Sequence, residues 1–181
     1  MKKGLLIIDI QNDYFPEGGY PLWNTEATLM GIVKAIEKAK KDDVAIILIQ
    51  HIADSKLGIA PFFNEATDGA AIHKTIIEAA PDAPVVVKKY ADSFHQTQLE
   101  QTLTELCVTE LYICGMMTQN CVTHTAISKQ AEKYHVSILQ DCCTSVDEMI
   151  HLIALNAVST RIDVTTSSEI FTEYNSDLQI P

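Results

Sequence analysis

The sequence predicts an α/β fold, a three-layer sandwich in which helices alternate with the strands of a mainly parallel sheet. Two patterns predict it. Six short apolar runs rich in β-branched residues are continuous rather than alternating, as in strands that are buried on both faces. Segments with helical apolar spacing lie between those runs. The 181 residues, 47% of them apolar and 20% charged, predict a single globular domain over residues 1–181.

The six apolar runs are the predicted strands. The first run ends at Asp9 and other polar residues without a small-residue cleavage site, which favours a strand over a signal peptide. None of the runs approaches the roughly 18 residues that span a bilayer. The predicted strands are Leu5–Ile8, Val44–Ile49, Pro84–Val87, Leu111–Cys114, Val136–Leu139 and Ile162–Val164.

Four segments between the strands have the apolar spacing of a helix. Capping boxes of Thr97 with Glu100 and of Ser145 with Glu148 precede two of them. Residues 51–84 break the alternation, and so long an insertion is often a functional loop, although 70–80 favours a helix. The four apolar faces are Leu29, Ile32, Val33 and Ile36; Leu99, Leu103 and Leu106; Val122, Ala126, Ile127 and Tyr134; and Met149, Ile150, Ile153 and Ala157.

Charge and cysteine content exclude several classes of function. Thirteen basic and 24 acidic residues give a net charge of −11, which disfavours nucleic acid and anionic membranes as partners. Five cysteines are an odd number in a chain that needs no covalent staples, so reduced thiols in the cytoplasm are expected. Cys107 and Cys114 fall on apolar faces and are predicted to lie in the core. The adjacent Cys142 and Cys143 are poorly placed for a disulfide or a zinc ion.

Cys121 is the most informative residue near a strand end, where open α/β sheets bind their ligands. It is expected in the first turn of a helix that Thr118 caps. Free N–H groups and the helix dipole at that position lower the pKa of a thiol and can hold an oxyanion. The alternative is a buried, inert cysteine, which is what most free cysteines are.

Asp9 and Lys88 follow two other predicted strands. A Cys, an Asp and a Lys at adjacent strand ends would form a coherent unit: the Asp takes the thiol proton, the thiolate attacks a carbonyl, and the Lys holds the Asp charge. The alternatives are a carboxylate that caps a turn and a lysine that is exposed.

Three segments, in order, carry motifs over nearly the whole chain. They are an apolar strand ending in D-x-Q over 5–14, a K-x-x-x-x-S-F-x-x-T-x-L segment over 88–99, and G-x-x-T-x-x-C-V over 115–122. The three motifs resemble those of the isochorismatase-like cysteine hydrolase superfamily, which includes nicotinamidases, N-carbamoylsarcosine and ureidoacrylate-type amidohydrolases, and isochorismatases. Tyr14 stands where phenylalanine is usual, and Ser93 is displaced by one position.

The resemblance implies a fold and a set of roles. The fold is a Rossmann-like, mainly parallel six-stranded sheet of order 3-2-1-4-5-6. Asp9 is the base, Cys121 the nucleophile and Lys88 the third member of a catalytic triad. Backbone N–H groups of Met117 and Cys121 form the oxyanion hole, beside a non-proline cis peptide between Met116 and Met117. A small amide or ureido compound is then hydrolysed through a thioester on Cys121.

Three alternatives to amide hydrolysis stay open. Some relatives hydrolyse an enol ether, as isochorismatases do. A catalytically silent binding or scaffold protein would keep the fold, although its buried charges are costly to retain without a use. A thiol redox protein is suggested only by the cysteine count and lacks a resolving cysteine near Cys121.

Residues beside the triad are candidates for contact with a small-molecule substrate. Gln11 is expected to hydrogen-bond next to the reacting groups, and His51 either contacts substrate or is structural. Aromatic residues are candidate pocket walls, although Phe62 and Phe63 also suit ordinary loop packing. The candidate substrate-binding residues are Gln11, Tyr14, Trp23, His51, Phe62, Tyr90 and Asn120.

No metal and no cofactor are expected. Nicotinamidase-like relatives bind a metal through closely spaced Asp and His residues, and the spacing of His51, Asp54 and His73 does not match that pattern. No glycine-rich phosphate loop points to a dinucleotide. By resemblance, a homo-oligomer, a dimer or larger, is expected, with the polar segment after Ser167 as a possible arm.

Overall fold

The computed structural model describes residues 2–171. Its centre is a six-stranded sheet in which all paired strands are parallel, with the order β3-β2-β1-β4-β5-β6. The fold class and this strand order confirm the prediction. The expected C-terminal arm lies mostly outside the described residues. The strands are β1 (Lys2–Ile8), β2 (Ala45–His51), β3 (Val85–Lys88), β4 (Val108–Met116), β5 (His135–Thr144) and β6 (Asp163–Thr165).

Helices flank the sheet, and most connect one strand to the next. Between residues 2 and 171, no helix is both long and apolar enough to cross a membrane. The helices are α1 (Thr25–Lys41), α2 (Lys74–Ala79), α3 (Leu99–Glu105), α4 (Thr123–Ala126), α5 (Glu148–Val158) and α6 (Ser167–Ile170).

Strand register brings the ends of four neighbouring strands to one edge of the sheet. Ile8, the last residue of β1, pairs with Ile49 of β2 on one side and with Gly115 of β4 on the other. His51 pairs with Lys88 at the end of β3. Because the strands are parallel, the residues that follow them share this carboxyl edge.

Gly115 allows the close approach of β1 and β4 just before the edge. Its φ is +123°, and a Cβ at this position would lie 2.1 Å from the carbonyl oxygen of Ile8. Only glycine takes up both that backbone conformation and that contact without displacing a neighbour. This residue therefore sets the distance between the two central strand ends.

Neither predicted capping box forms. The Thr97 hydroxyl donates to the carbonyl of Ser93 at 2.6 Å, and α3 begins after Gln98 without a side-chain cap. The Ser145 hydroxyl donates to Gln119, and the carboxylate of Asp147 caps α5 instead. The Ser145 hydroxyl thus has a tertiary partner, and the Thr97 hydroxyl bonds back to the preceding segment, and the capping pattern reveals neither contact.

Other predicted elements are shorter or placed differently. The helical face predicted from Val122 to Tyr134 is divided into α4 and a 3-10 helix over Lys129–Lys133, and Ser128 at the break donates to Asp92. Cys114 is buried in the core as predicted, but Cys107 is exposed, and that prediction is wrong. Cys107 has a φ of +57° directly after α3, where the chain turns toward β4.

Candidate active site

Asp9 is the first residue beyond β1. The chain turns there with a φ of +54°, and the Asp9 N–H donates to the carbonyl of Ile49. The side chain is fully buried, and Oδ2 lies 2.8 Å from Nζ of Lys88. Beyond that ion pair, the carboxylate accepts a hydrogen bond from the thiol of Cys121. Asp9 therefore lies between the Lys88 ammonium and the Cys121 thiol.

Lys88 ends β3 with a buried side chain. Besides Asp9, its Nζ donates to the carbonyl of Tyr90 at 3.1 Å and contacts Nδ1 of His51 at 3.2 Å. Burial alone lowers the pKa of Lys88, but the Asp9 carboxylate and Cys121 outweigh burial and hold it above its ordinary value. Lys88 is therefore an ammonium ion that neutralises Asp9.

Cys121 lies in a π-helical turn, Thr118–Val122, that directly follows β4. The residue is 2% exposed. Burial, and then the Asp9 carboxylate, raise the pKa of the Cys121 thiol well above its ordinary value, and Lys88 offsets only part of that rise. The prediction that a helix N-terminus would lower this pKa is wrong, because burial and the neighbouring carboxylate dominate. Cys121 is therefore a neutral thiol that faces the Asp9 carboxylate.

The residues before Cys121 shape the turn. The peptide between Met116 and Met117 is cis, as the resemblance implies. Thr118 is not a helix cap: its hydroxyl donates to the carbonyl of Thr144 at 2.9 Å and lies 2.8 Å from Nδ1 of His151. These contacts tie the turn to β5 and α5. The assignment of the Met117 and Cys121 N–H groups to an oxyanion hole stays a prediction.

Gln11 is buried and holds the end of β2. Its amide nitrogen donates to the carbonyls of His51 and Ala70, and its amide oxygen accepts from the N–H of His51. Three hydrogen bonds to the backbone account for this side chain without a ligand. Gln11 thereby fixes the position of His51 relative to the sheet.

Four aromatic rings pack together on one side of the triad. Tyr14 lies 4.5 Å from Phe63 and 5.3 Å from Phe62, and Tyr20 lies 4.9 Å from Phe62, between ring centroids. The ring of Phe63 also lies 5.8 Å from that of His51. Burial, and then Asp9, raise the pKa of Tyr14, so its hydroxyl stays neutral near the base. Sequence reasoning missed Tyr20, which stands in a turn of glycines and prolines without periodicity.

Three predicted contact residues lie apart from that aromatic cluster. Trp23 packs 6.2 Å from the ring of His151, and Tyr90 packs 4.7 Å from that of His95, although the carbonyl of Tyr90 accepts from Lys88. Asn120 is in the turn of Cys121, and its carbonyl lies 2.8 Å from Nδ1 of His124. The structure thus places His51, at the end of β2, against Lys88, and packs Phe62 against Tyr14, which is near Asp9 and Cys121.

One group of donor atoms in residues 2–171 is close enough to hold a metal ion. Ligand atoms of Asp9, His51 and Cys121 lie within 4.8 Å of one another. The ammonium of Lys88 contacts all three residues, so the positive charge that the donors would attract is already present. Asp54 pairs instead with Lys89, and His73 accepts from the N–H of Thr75 at the start of α2.

Comparison with known proteins identifies the family. The isochorismatase domain model matches residues 3–170. The isochorismatase family protein YddQ of Bacillus subtilis strain 168 is 32% identical over 178 residues, covering 91% of this chain and 97% of that protein. The streptothricin hydrolase of Streptomyces noursei is 26% identical, covering 80% of this chain and 55% of that protein.

A solved structure shares the whole fold. The isochorismatase-like hydrolase from Alkaliphilus metalliredigens superposes with a TM-score of 0.83 at 26% identity, covering 94% of this chain and 98% of the other. The domain match spans nearly all of the described residues, and the strand order agrees with the fold prediction. The chain therefore belongs to the isochorismatase family of hydrolases.

Proposed function

We propose that the protein is a cysteine hydrolase that cleaves a C–N bond of a small amide or ureido compound. The observation that carries this proposal is that a carboxylate, an ammonium and a thiol are buried together at one edge of the sheet. Ionisable groups are rarely buried together without a chemical use. The name of the streptothricin hydrolase among the relatives supports hydrolysis as the reaction class.

Acylation begins with proton transfer from Cys121 to Asp9. Sγ attacks the substrate carbonyl carbon as the thiol proton passes to the carboxylate, and the C=O electron pair moves onto oxygen. The N–H groups of Met117 and Cys121 are the proposed donors to that oxyanion. As the oxyanion collapses, Asp9 returns the proton to the leaving nitrogen. The C–N bond breaks, and ammonia or an amine departs.

Deacylation uses the same base. Asp9 takes a proton from water as the water oxygen attacks the thioester carbonyl of the acylated Cys121. Collapse of the second tetrahedral intermediate breaks the C–S bond, and the proton returns to sulfur. The acid product leaves, and the enzyme regains the thiol and carboxylate of the resting state.

Lys88 supplies the positive charge that these proton transfers require. Its ammonium keeps Asp9 ionised in a fully buried site, where a lone carboxylate would be protonated. It also stabilises negative charge as that charge moves from Asp9 to sulfur. The raised pKa of Cys121 is compatible with catalysis because the thiol is deprotonated only during attack.

The surroundings of the triad favour a small and uncharged reacting group. The aromatic cluster of Tyr14, Tyr20, Phe62 and Phe63 offers apolar walls. Apart from Lys88, which Asp9 neutralises, no lysine or arginine in residues 2–171 contacts Asp9, His51 or Cys121. We therefore expect primary amides and ureido compounds with a compact apolar part to be the better substrates.

Ammonia release from a panel of small amides and ureido compounds tests the proposal. Wild-type protein is expected to hydrolyse at least one member, and Cys121→Ala to lose that activity. Cys142→Ala is the matched control, because it removes another buried thiol and should leave activity unchanged. Equal activity of Cys121→Ala and wild type would contradict the proposal. Hydrolysis of an enol ether but of no amide would instead assign the protein the isochorismatase type of reaction.

A further inference from the structure

The ammonium of Lys88 has three N–H bonds and three acceptors around it. They are Oδ2 of Asp9 at 2.8 Å, the carbonyl of Tyr90 at 3.1 Å and Nδ1 of His51 at 3.2 Å. Each acceptor comes from a different part of the chain: the end of β1, the segment after β3, and the end of β2. The Cys121 thiol is a further hydrogen-bond partner of Lys88, so it and these three acceptors share the three donors of the ammonium.

The contact with Lys88 determines the protonation of His51. An ammonium cannot accept a hydrogen bond, so Nδ1 of His51 must be the acceptor, and a neutral ring then carries its proton on Nε2. A proton on Nδ1 would point one N–H at another, and a doubly protonated ring would also place two positive charges about 3.2 Å apart. The groups that face His51 are Lys88, Asp9 and Cys121, with the ring of Phe63 beside it.

Two further features fit a neutral ring. Burial and the Lys88 ammonium both lower the pKa of His51, and the Asp9 carboxylate offsets only part of that decrease. Gln11 holds the backbone of His51 through its N–H and its carbonyl, so the ring is anchored to the sheet. The anchor and the acceptor together define a fixed point for the lysine head group.

We propose that His51 is a positioning residue that, as the neutral Nε2–H tautomer, keeps the Lys88 ammonium aimed at Asp9. This inference rests on the proposed function, in which Asp9 is the base. A lysine side chain has four rotatable bonds, so an ammonium without its third acceptor can turn away. Asp9 would then bind a proton at rest and would no longer be able to take one from Cys121.

Long-range ¹H–¹⁵N correlation spectra of the imidazoles test the tautomer in the wild-type protein. We expect the His51 ring to be neutral with an unprotonated Nδ1, and to titrate below 6.5, the ordinary value for histidine. A proton on Nδ1 at neutral pH, or titration at or above 6.5, would overturn the proposal.

Two substitutions of similar size separate positioning from a merely structural role. The amide of His51→Asn can place an oxygen near Nδ1, whereas that of His51→Gln lies near Nε2. The readout is the rate at which p-nitrophenyl acetate acetylates Cys121. His51→Asn is expected within about threefold of wild type and His51→Gln about tenfold to a hundredfold slower, the range for a hydrogen bond to a charged group.

Controls keep this inference distinguishable from the proposed function. His73→Asn changes another histidine whose Nδ1 accepts a hydrogen bond, but which lies at α2, and it should react like wild type. Equal rates for His51→Asn and His51→Gln would overturn the positioning role while Cys121→Ala stays unreactive. If Cys121→Ala were acetylated as fast as wild type, the proposed function would fail first.

Discussion

Two groups of buried thiols in this protein differ in what faces them. Cys121 stands at the carboxyl edge of the sheet beside Asp9 and Lys88. Cys114, Cys142 and Cys143 lie inside β4 and β5, where their electrostatic neighbours are one another and Asp141. All four are buried, and burial raises every one of their pKa values, that of Cys142 to about 12.

The comparison teaches that burial and activation are separate properties. A raised pKa makes the three interior thiols inert hydrophobic side chains. The pKa of Cys121 is raised as well, yet the Asp9 carboxylate lies beside the thiol, and the Lys88 ammonium balances the charge. In the proposed reaction, the neighbours of Cys121 rather than its own acidity would make it the nucleophile.

The substitution Asp9→Asn should reduce the difference in reactivity between Cys121 and the interior thiols most strongly. We expect acetylation of Cys121 by p-nitrophenyl acetate to fall about 10²- to 10⁴-fold, the usual contribution of a general base. Unfolding in urea should also show a loss of about 3–5 kcal/mol, because the buried Lys88 loses its partner. Asp54→Asn removes an exposed ion pair with Lys89 and should change neither property appreciably.

The double variant Asp9→Asn, Lys88→Met separates the two effects. Removing both charges should restore much of the stability, since no unpaired ion remains buried. Reactivity should stay low, because the base is still missing. Recovery of reactivity in the double variant would show that Asp9 acts only by pairing with Lys88.

Gly115→Ala should reduce the same difference in thiol reactivity by moving Asp9 relative to Cys121, without removing a charge. The new Cβ would overlap Ile8, so β1 and β4 must separate and move Asp9 away from Cys121. We expect the acetylation rate of Cys121 to fall at least about tenfold, as small misplacements in an active site do. Gly58→Ala also has a positive φ, but nothing lies within 4 Å of the added Cβ, so its rate should be unchanged. Equal rates for the two variants would contradict the geometric argument.

Alkaline pH should lower the stability that each group of thiols contributes to a similar extent. This is the smallest of the expected effects. A thiol whose pKa is raised in the folded state keeps its proton where the unfolded chain loses it. The contribution of these thiols to the free energy of unfolding is therefore constant below about pH 9. Above that pH it falls by up to about 1.4 kcal/mol per pH unit for each thiol. Urea unfolding between pH 8 and pH 10.5 should give a shallower decline for Cys121→Ala and Cys142→Ala, to a similar extent. An unchanged slope in both variants would contradict the linkage.

The sheet was predictable because short continuous apolar runs are typical of parallel strands that are buried on both faces. The structure extends β4 and β5 beyond their predicted ends because backbone pairing continues at Met116 and Thr144, past the clearly apolar residues. The capping boxes failed for a different reason. Ser145 bonds to Gln119, 26 residues earlier in the chain, and Thr97 bonds back to the carbonyl of Ser93, and the capping pattern indicates neither contact.

The members of the candidate site could be named from strand ends and motifs, but their electrostatics could not. The pKa of Cys121 depends on burial and on Asp9, which is far away in sequence. The contact between His51 and Lys88 follows from the β2–β3 register, which places the two residues side by side. Each of the two is the last residue of its strand, so the signal was present once the strand pairing was known.

Acylation of the native protein by p-nitrophenyl acetate tests the central claim most directly. Transfer of the acetyl group to sulfur releases p-nitrophenolate, and mass mapping of peptides locates the acetyl group. We predict a burst of about one equivalent, with acetyl on Cys121, that disappears in Cys121→Ala and Asp9→Asn but persists in Cys142→Ala. Acetylation confined to the exposed Cys107, at the same rate in all four proteins, would contradict the account.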